Sequence, residues 1–284
     1  MKKKTLKKFQ RVYNQACDLI DAMKYNEALH LFTLSAQRGH RPSMLRLGIM
    51  YYWGRGIEPN ASKALHWLRL AADKGSGAAC LNYAHVCYAY ATFIKEKESL
   101  MHEQAWKYYS KAARKDGRYY FYLGLMCYEG KFCIDKEREH HIKASMLFFA
   151  EALSHGDAES ALYLWYISTT RGKTIEEYYD EGERLLELHG KAKDYNNWAY
   201  TLCTWGEYKK ALLYIEACLA MEDNVMKNPN YLDTYGECLY GLGRMDEAKK
   251  VFIECLNMYR QRDERRRIYE TEENIRQKFY CLYS

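Results

Sequence analysis

Residues 47–75 read LGIMYYWGRGIEPNASKALHWLRLAADKG, and the fold follows from this stretch. Leu47, Met50, Tyr51, Leu65, Trp67 and Leu68 place apolar surface at helical spacing, while Gly48, Ala64 and Ala72 keep one face small enough for two helices to approach closely. The Gly54-Arg55-Gly56 turn between them reverses the chain. The spacing therefore predicts a helical hairpin. One hairpin cannot bury both of its faces, so copies of it must stack on either side.

The order Leu-Gly-x-Met-Tyr, Gly-x-Gly, Lys-Ala-x-x-Trp and Ala-Ala-x-x-Gly resembles a Sel1-like repeat, the variable-length relative of the tetratricopeptide repeat. Leu123-Gly124-Leu125-Met126, Gly130, Lys143-Ala144, Ala152 and Gly156 repeat the order closely. Tyr83-Ala84, Ala105, Tyr108 and Ala112-Ala113 repeat its spacing without the turn glycines, and five extra residues between Ala84 and Ala105 are expected in the hairpin loop or an extended helix end. A unit starting at Ala158 carries Trp165 where the small residue belongs, which predicts helices spread apart there. Gly206-x-Tyr208-x-x-Ala211 is similar to an ordinary tetratricopeptide repeat, as is Asn228-Pro229-Asn230-Tyr231 followed by Tyr235-Gly236, Gly243, Asp246-Glu247-Ala248 and Phe252. The close-packing positions fall at Ala16, Gly48, Ala84, Gly124, Trp165, Ala199 and Gly236, with periods of 32 to 41. Tetratricopeptide arrays hold near 34 residues, so this drift suits the variable-length relative.

Sequence and resemblance together predict an all-α chain, a right-handed α-solenoid of seven stacked helical hairpins. Its expected parts are a flexible basic N-terminus at 1–8, a tetratricopeptide-like hairpin at 9–40, Sel1-like repeats at 41–190, two tetratricopeptide repeats at 191–257 and a capping helix at 258–284. Ile268, Ile275, Phe279 and Leu282 give that last segment one apolar face.

The three prolines, Pro42, Pro59 and Pro229, fall between helical stretches, as an all-helical chain requires. No run has the roughly 18 apolar residues of a membrane span. The lysines at the start are followed by a polar-interrupted stretch from Phe9 to Asp21, which lacks the apolar core of a signal peptide. A cytoplasmic protein is expected. The ten cysteines are scattered with no Cys-x-x-Cys, and most fall within apolar helical stretches, so they read as buried thiols in a reducing compartment. The net charge of +6 is terminal: five lysines stand in the first eight residues, and Arg260–Arg267 holds five arginines. The remainder is slightly acidic, so a nucleic-acid groove along the array is not expected; RNA binding through the basic ends is a rival reading.

Catalytic chemistry finds little support. His140-His141 is the one histidine pair, but neighbours on a helix point about 100° apart and suit a shared metal poorly. No metal or cofactor is expected, and a metal-dependent enzyme using His140 and His141 is the rival from that class. One regularity suggests binding. Four residues after the close-packing position stand Tyr52, Tyr88, Tyr128, Thr169, Cys203 and Tyr240, four tyrosines in six units. First helices line the concave wall in arrays of this kind, so the tyrosines form either a binding ladder there or packing between hairpins. Trp53, His85 and Tyr166 extend the same wall. Asp233 and Glu237, four apart and sharing a face with Tyr240, repel each other unless a cation sits opposite, so they face a partner's basic segment, a lysine of the chain itself or plain solvent. The resemblance implies a non-enzymatic scaffold or adaptor, expected to be bacterial, that binds a partner peptide or protein surface, with a host-directed secreted effector as the alternative.

Overall fold

The computed structural model describes residues 3–91, 95–131, 137–172, 174–221 and 228–280. Among them there is no strand, only helices and their turns. The helices are α1 (Lys3–Asp21), α2 (Tyr25–Gln37), α3 (Arg41–Trp53), α4 (Ala61–Asp73), α5 (Gly77–Ala91), α6 (Glu98–Ala113), α7 (Tyr120–Tyr128), α8 (Arg138–Ser154), α9 (Ala158–Thr170), α10 (Glu176–His189), α11 (Ala192–Thr204), α12 (Tyr208–Ala220), α13 (Pro229–Gly241), α14 (Met245–Gln261) and α15 (Arg265–Ile275). A wide helical turn, Arg276–Tyr280, follows α15. None of the described helices is long and apolar enough to cross a membrane.

The helices fall into two units. The first comprises residues 1–136 with 262–266, the second residues 137–261 with 267–284. The first holds the hairpins α1/α2, α3/α4 and α5/α6, with α7 packed on α6. The second holds α8 against α9 and the hairpins α9/α10, α11/α12 and α13/α14. Both are all-α repeat solenoids. Three boundaries differ from the sequence reading. Helix α1 already begins at Lys3, inside the stretch expected to be a flexible lead. The hairpin read from Leu123 to Gly156 is divided, with α7 in one unit and α8 in the other. Helix α14 runs on to Gln261, so the terminal helix starts at Arg265 rather than near Met258.

Local chemistry explains how the founding hairpin closes. Pro42 stands at the start of α3, where a missing N–H costs nothing. Gly54 ends that helix in the left-handed region at φ 73°, which β-substituted residues avoid. Asn60 then caps α4 by accepting the Lys63 N–H at 2.8 Å. Between the two helices, a Cβ on Gly48 would lie 2.6 Å from Leu68 Cγ. With Leu47, Ala64, Leu68 and Ala71 fully buried, the absent methyl is what sets the approach. The surplus residues of the next hairpin lengthen its helices, 15 and 16 residues against 13 and 13, and a short turn at Lys95–Lys97 leads into the second of them.

The second unit solves the same problem with Trp165. Its ring is 8% exposed and set edge-on to Tyr179, and its indole N–H donates to Glu176 at 3.2 Å. The small residue has moved to the opposite helix. A Cβ on Gly182 of α10 would lie 3.0 Å from Ala161 Cβ and 2.3 Å from the fully buried Trp198. Gly236 restores the first-helix arrangement in α13, its Cβ position 2.8 Å from the buried Phe252 ring.

Candidate protein-interaction surface

In the first unit α3 ends on Tyr52 and Trp53, half-buried rings 4.7 Å apart and edge to face. The guanidinium of Arg266 lies 4.4 Å above Tyr52, so this tyrosine is held under a cation of the chain itself. Beside it Arg55 pairs with Glu264 at 2.7 Å, reinforced by a backbone bridge between the same two residues, and Arg265 pairs with Glu58.

Helix α5 carries His85 and Tyr88, three apart and therefore neighbours on one face. His85 Nδ1 is 2.9 Å from the Tyr109 hydroxyl of α6, and its ring stands edge-on to Tyr122 of α7 at 4.7 Å. Tyr109 and Tyr122 stack at 5.1 Å with their planes 10° apart. Tyr88 donates a short hydrogen bond to Glu129, and its ring is 5.6 Å from His102. Burial and the Glu129 carboxylate raise the Tyr88 pKa, and burial raises that of Tyr109 well above the ordinary phenol value. Both stay neutral hydroxyls. His102 is buried with its Nε2 unpaired, and burial lowers its pKa, so it is a neutral imidazole at pH 7. Tyr128 is half-buried at the end of α7. The structure thus joins His85 and Tyr88 in one cluster with Tyr109, Tyr122, Glu129 and His102, four residues the ladder argument did not name. The ladder counted a single offset on first helices, whereas these partners come from a second helix, the first turn of α7 and the residue after it.

In the second unit Tyr166 stacks on Trp205 at 4.1 Å with the planes 11° apart. Asp233 and Glu237 line a cavity of about 350 Å³ with Tyr200, Cys203 and Arg267. Glu237 accepts from Asn274 Nδ2 at 2.9 Å and pairs with Lys278 Nζ at 2.9 Å. The same ammonium sits 4.2 Å above the Tyr240 ring, which also meets Phe279 edge-on at 5.8 Å. The cation opposite the acidic pair therefore comes from the chain's own C-terminal segment. Asp233 is raised to about 6, first because burial disfavours its charge and then because Glu237 and Glu270 lie close, with Arg267 opposing. Tyr200, absent from the sequence reading, forms an exposed rim of the cavity.

The remaining sequence candidates are dispersed. His140 stands in the first turn of α8, half exposed, with Nε2 3.5 Å from Glu137. The described residues contain no group of three or more His, Cys, Asp or Glu placed to hold a metal ion. Arg260, Arg265, Arg266 and Arg267 of the basic run all engage intramolecular partners.

Comparison with known proteins bears on what these surfaces belong to. The family model for the Sel1 repeat matches residues 22–40, 41–76 and 77–117. Residues 22–117 thus carry Sel1 repeats. The Sel1 matches lie in the first unit and include Tyr52, His85 and Tyr88. A stretch of 51 residues is 39% identical to the ERAD-associated E3 ubiquitin-protein ligase component HRD3A of Arabidopsis thaliana, covering 18% of this chain and only 8% of that relative. Among solved structures, a Sel1 repeat protein from Oxalobacter formigenes overlaps 86% of this chain and 98% of its own, at 20% identity and a TM-score of 0.50, a likeness of fold. A tetratricopeptide repeat protein from Parabacteroides merdae overlaps 93% of this chain and 98% of its own, at 15% identity and a TM-score of 0.45. Sel1 and tetratricopeptide repeats are scaffolds typical of protein–protein interaction, and the family is generally non-enzymatic.

Proposed function

We propose that this Sel1-repeat protein is a non-enzymatic adaptor that holds a partner peptide or protein surface against the aromatic faces of its first helices. The observation that carries the reading is the cluster in which His85 meets Tyr109 and Tyr122, beside Tyr88 held by Glu129. It combines flat rings with hydroxyls that stay protonated, a surface that binds peptide chains at low entropic cost. Tyr52, Trp53 and Tyr128 extend it in the first unit, and Tyr166 with Trp205 offers a second stacked pair in the other. Asp233, Glu237 and Tyr240 belong to the proposed surface in a different sense. They already hold Lys278 and Phe279, so a partner reaching them must displace the C-terminal segment. We further propose that the adaptor is bacterial and cytoplasmic, a reading that rests on the resemblance and on the scattered, mostly buried cysteines.

The test is capture of partners from cells expressing the tagged wild type beside a Tyr52→Ala, Tyr88→Ala, Tyr128→Ala variant shown by circular dichroism to keep its helix content. The proposal expects a partner held by the wild type and lost by the folded variant. A partner kept by that variant overturns the aromatic face as the binding surface.

A further inference from the structure

Cys203 and Cys238 stand on neighbouring first helices, α11 and α13, and their sulfurs are 2.9 Å apart. That is inside ordinary sulfur–sulfur contact and within an ångström of the roughly 2.05 Å of a disulfide bond. The two thiols are 35 residues apart, and both are buried, at 8% and 0% exposed. They differ in access. Cys203 lines the cavity of about 350 Å³ whose rim residue, Tyr200, is 54% exposed, whereas Cys238 lies behind it. A solvent-borne reagent therefore meets Cys203 first.

We infer that Cys203 and Cys238 form a reversible redox pair, oxidised to an intramolecular disulfide by a low-molecular-weight disulfide such as oxidised glutathione. The reaction has two steps. The Cys203 thiolate attacks one sulfur of the glutathione disulfide, forming a mixed disulfide and expelling one glutathione thiolate, which takes up the proton Cys203 gave up. The Cys238 sulfur then attacks Cys203 Sγ, forming the internal bond and expelling the second glutathione. Two electrons and two protons leave the cysteine pair and appear on two molecules of reduced glutathione. The hydrogen bond with the neighbouring Cys203, and then burial, raise the Cys238 pKa, which assigns it the resolving rather than the attacking role.

The bond would tie α11 to α13 directly below Asp233 and Glu237, two walls of one cavity. Oxidation therefore fixes the spacing of the surface on which the C-terminal segment lies. Cys203 also occupies the position at which other repeats carry tyrosine, so the repeat frame presents it to the same side as Tyr240.

The experiment treats the full-length folded protein with excess oxidised glutathione, quenches it in acid, and reads intact mass and peptide maps. The inference expects the mass of two hydrogens to be lost, with one cross-linked peptide pair containing Cys203 and Cys238. It also expects a melting temperature raised by about 5–10 °C and restored by dithiothreitol. Cys238→Ser should stop at a glutathionyl group on Cys203, and Cys203→Ser should form neither product at these positions. A wild type that stops at the Cys203 mixed disulfide overturns the pairing. Failure of Cys203 to react in the native protein, with reaction after unfolding, overturns the access route.

Discussion

Substituting Gly48 by alanine tests the close approach from which the fold was read. The new Cβ would lie 2.6 Å from Leu68 Cγ and 2.9 Å from Leu68 Cδ2, with the Ala64 carbonyl oxygen 3.3 Å away. Leu68 is fully buried, so it has no open space to rotate into. Overpacking of this kind costs about 1–3 kcal/mol, while replacing a helical glycine by alanine returns about 1 kcal/mol of propensity. The net expectation is a loss of about 0–2 kcal/mol. Leu68→Ala alone leaves a cavity and costs about 2–5 kcal/mol. In Gly48→Ala/Leu68→Ala the clash has gone, the added methyl fills part of the cavity and the helix propensity gain remains. The double variant should therefore be more stable than the sum of the singles predicts, by at least about 1 kcal/mol. Urea unfolding of the four proteins, followed by circular dichroism, measures the coupling. Strict additivity would refute the claim that Gly48 is small because Leu68 faces it.

Three further outcomes follow from the second unit. Gly182→Ala puts a Cβ 2.3 Å from the buried Trp198 ring and should destabilise by about 1–3 kcal/mol, read as a lower urea midpoint; an unchanged midpoint would mean α10 is not closely packed there. Asp233 is raised from 3.8 to about 6, so the folded state binds its proton more tightly and the group's contribution, full below about 4, is lost as pH rises through 6. Asp233→Asn should therefore gain about 1–3 kcal/mol over wild type at pH 7.5 and lose most of that advantage near pH 4, with a pH-independent difference counting against it. Lys278→Glu removes the ion pair to Glu237 and sets two carboxylates together, so amide exchange over residues 265–280 should accelerate at least about tenfold; unchanged protection would show that the apolar contacts of Phe279 alone hold the segment.

What the sequence disclosed was whatever one helix says about its own face. Gly48, Ala64 and Leu68 mark a close contact through their spacing alone, and Pro42, Gly54 and Asn60 mark helix ends through backbone chemistry that needs no distant partner. The site was less legible because its groups meet across the chain. His85 reaches Tyr109 over 24 residues, Tyr88 reaches Glu129 over 41, and Lys278 reaches Glu237 over 41. Periodicity does not report such pairings. The close approach of Gly182 to Trp198 and Ala161 was hidden for the same reason, since that glycine sits outside any repeat motif. The terminal helix showed its apolar face through Ile275 and Phe279, but nothing in that stripe separates it from α14, and the break comes at Asp263, at φ 45°.

The ladder positions show how a repeat fixes a place without fixing its chemistry. Tyr52 lies beneath Arg266 and Tyr240 beneath Lys278, so two of the four tyrosines are capped by cations that the chain supplies. Tyr88 donates a hydrogen bond to Glu129, Thr169 turns back to the Trp165 carbonyl at 3.0 Å, and Cys203 meets Cys238. Backbone geometry brings each residue to an equivalent point on a first helix, and the neighbouring helix then decides what that point does. A tyrosine under a cation has its ring face occupied, whereas Tyr88 is held through its hydroxyl by the Glu129 carboxylate. The repeats are thus alike in stacking and unlike in recognition. Point variants at equivalent positions should separate accordingly, Tyr52→Ala acting chiefly on the arginine segment at 262–266 and Tyr88→Ala chiefly on whatever the His85 cluster holds.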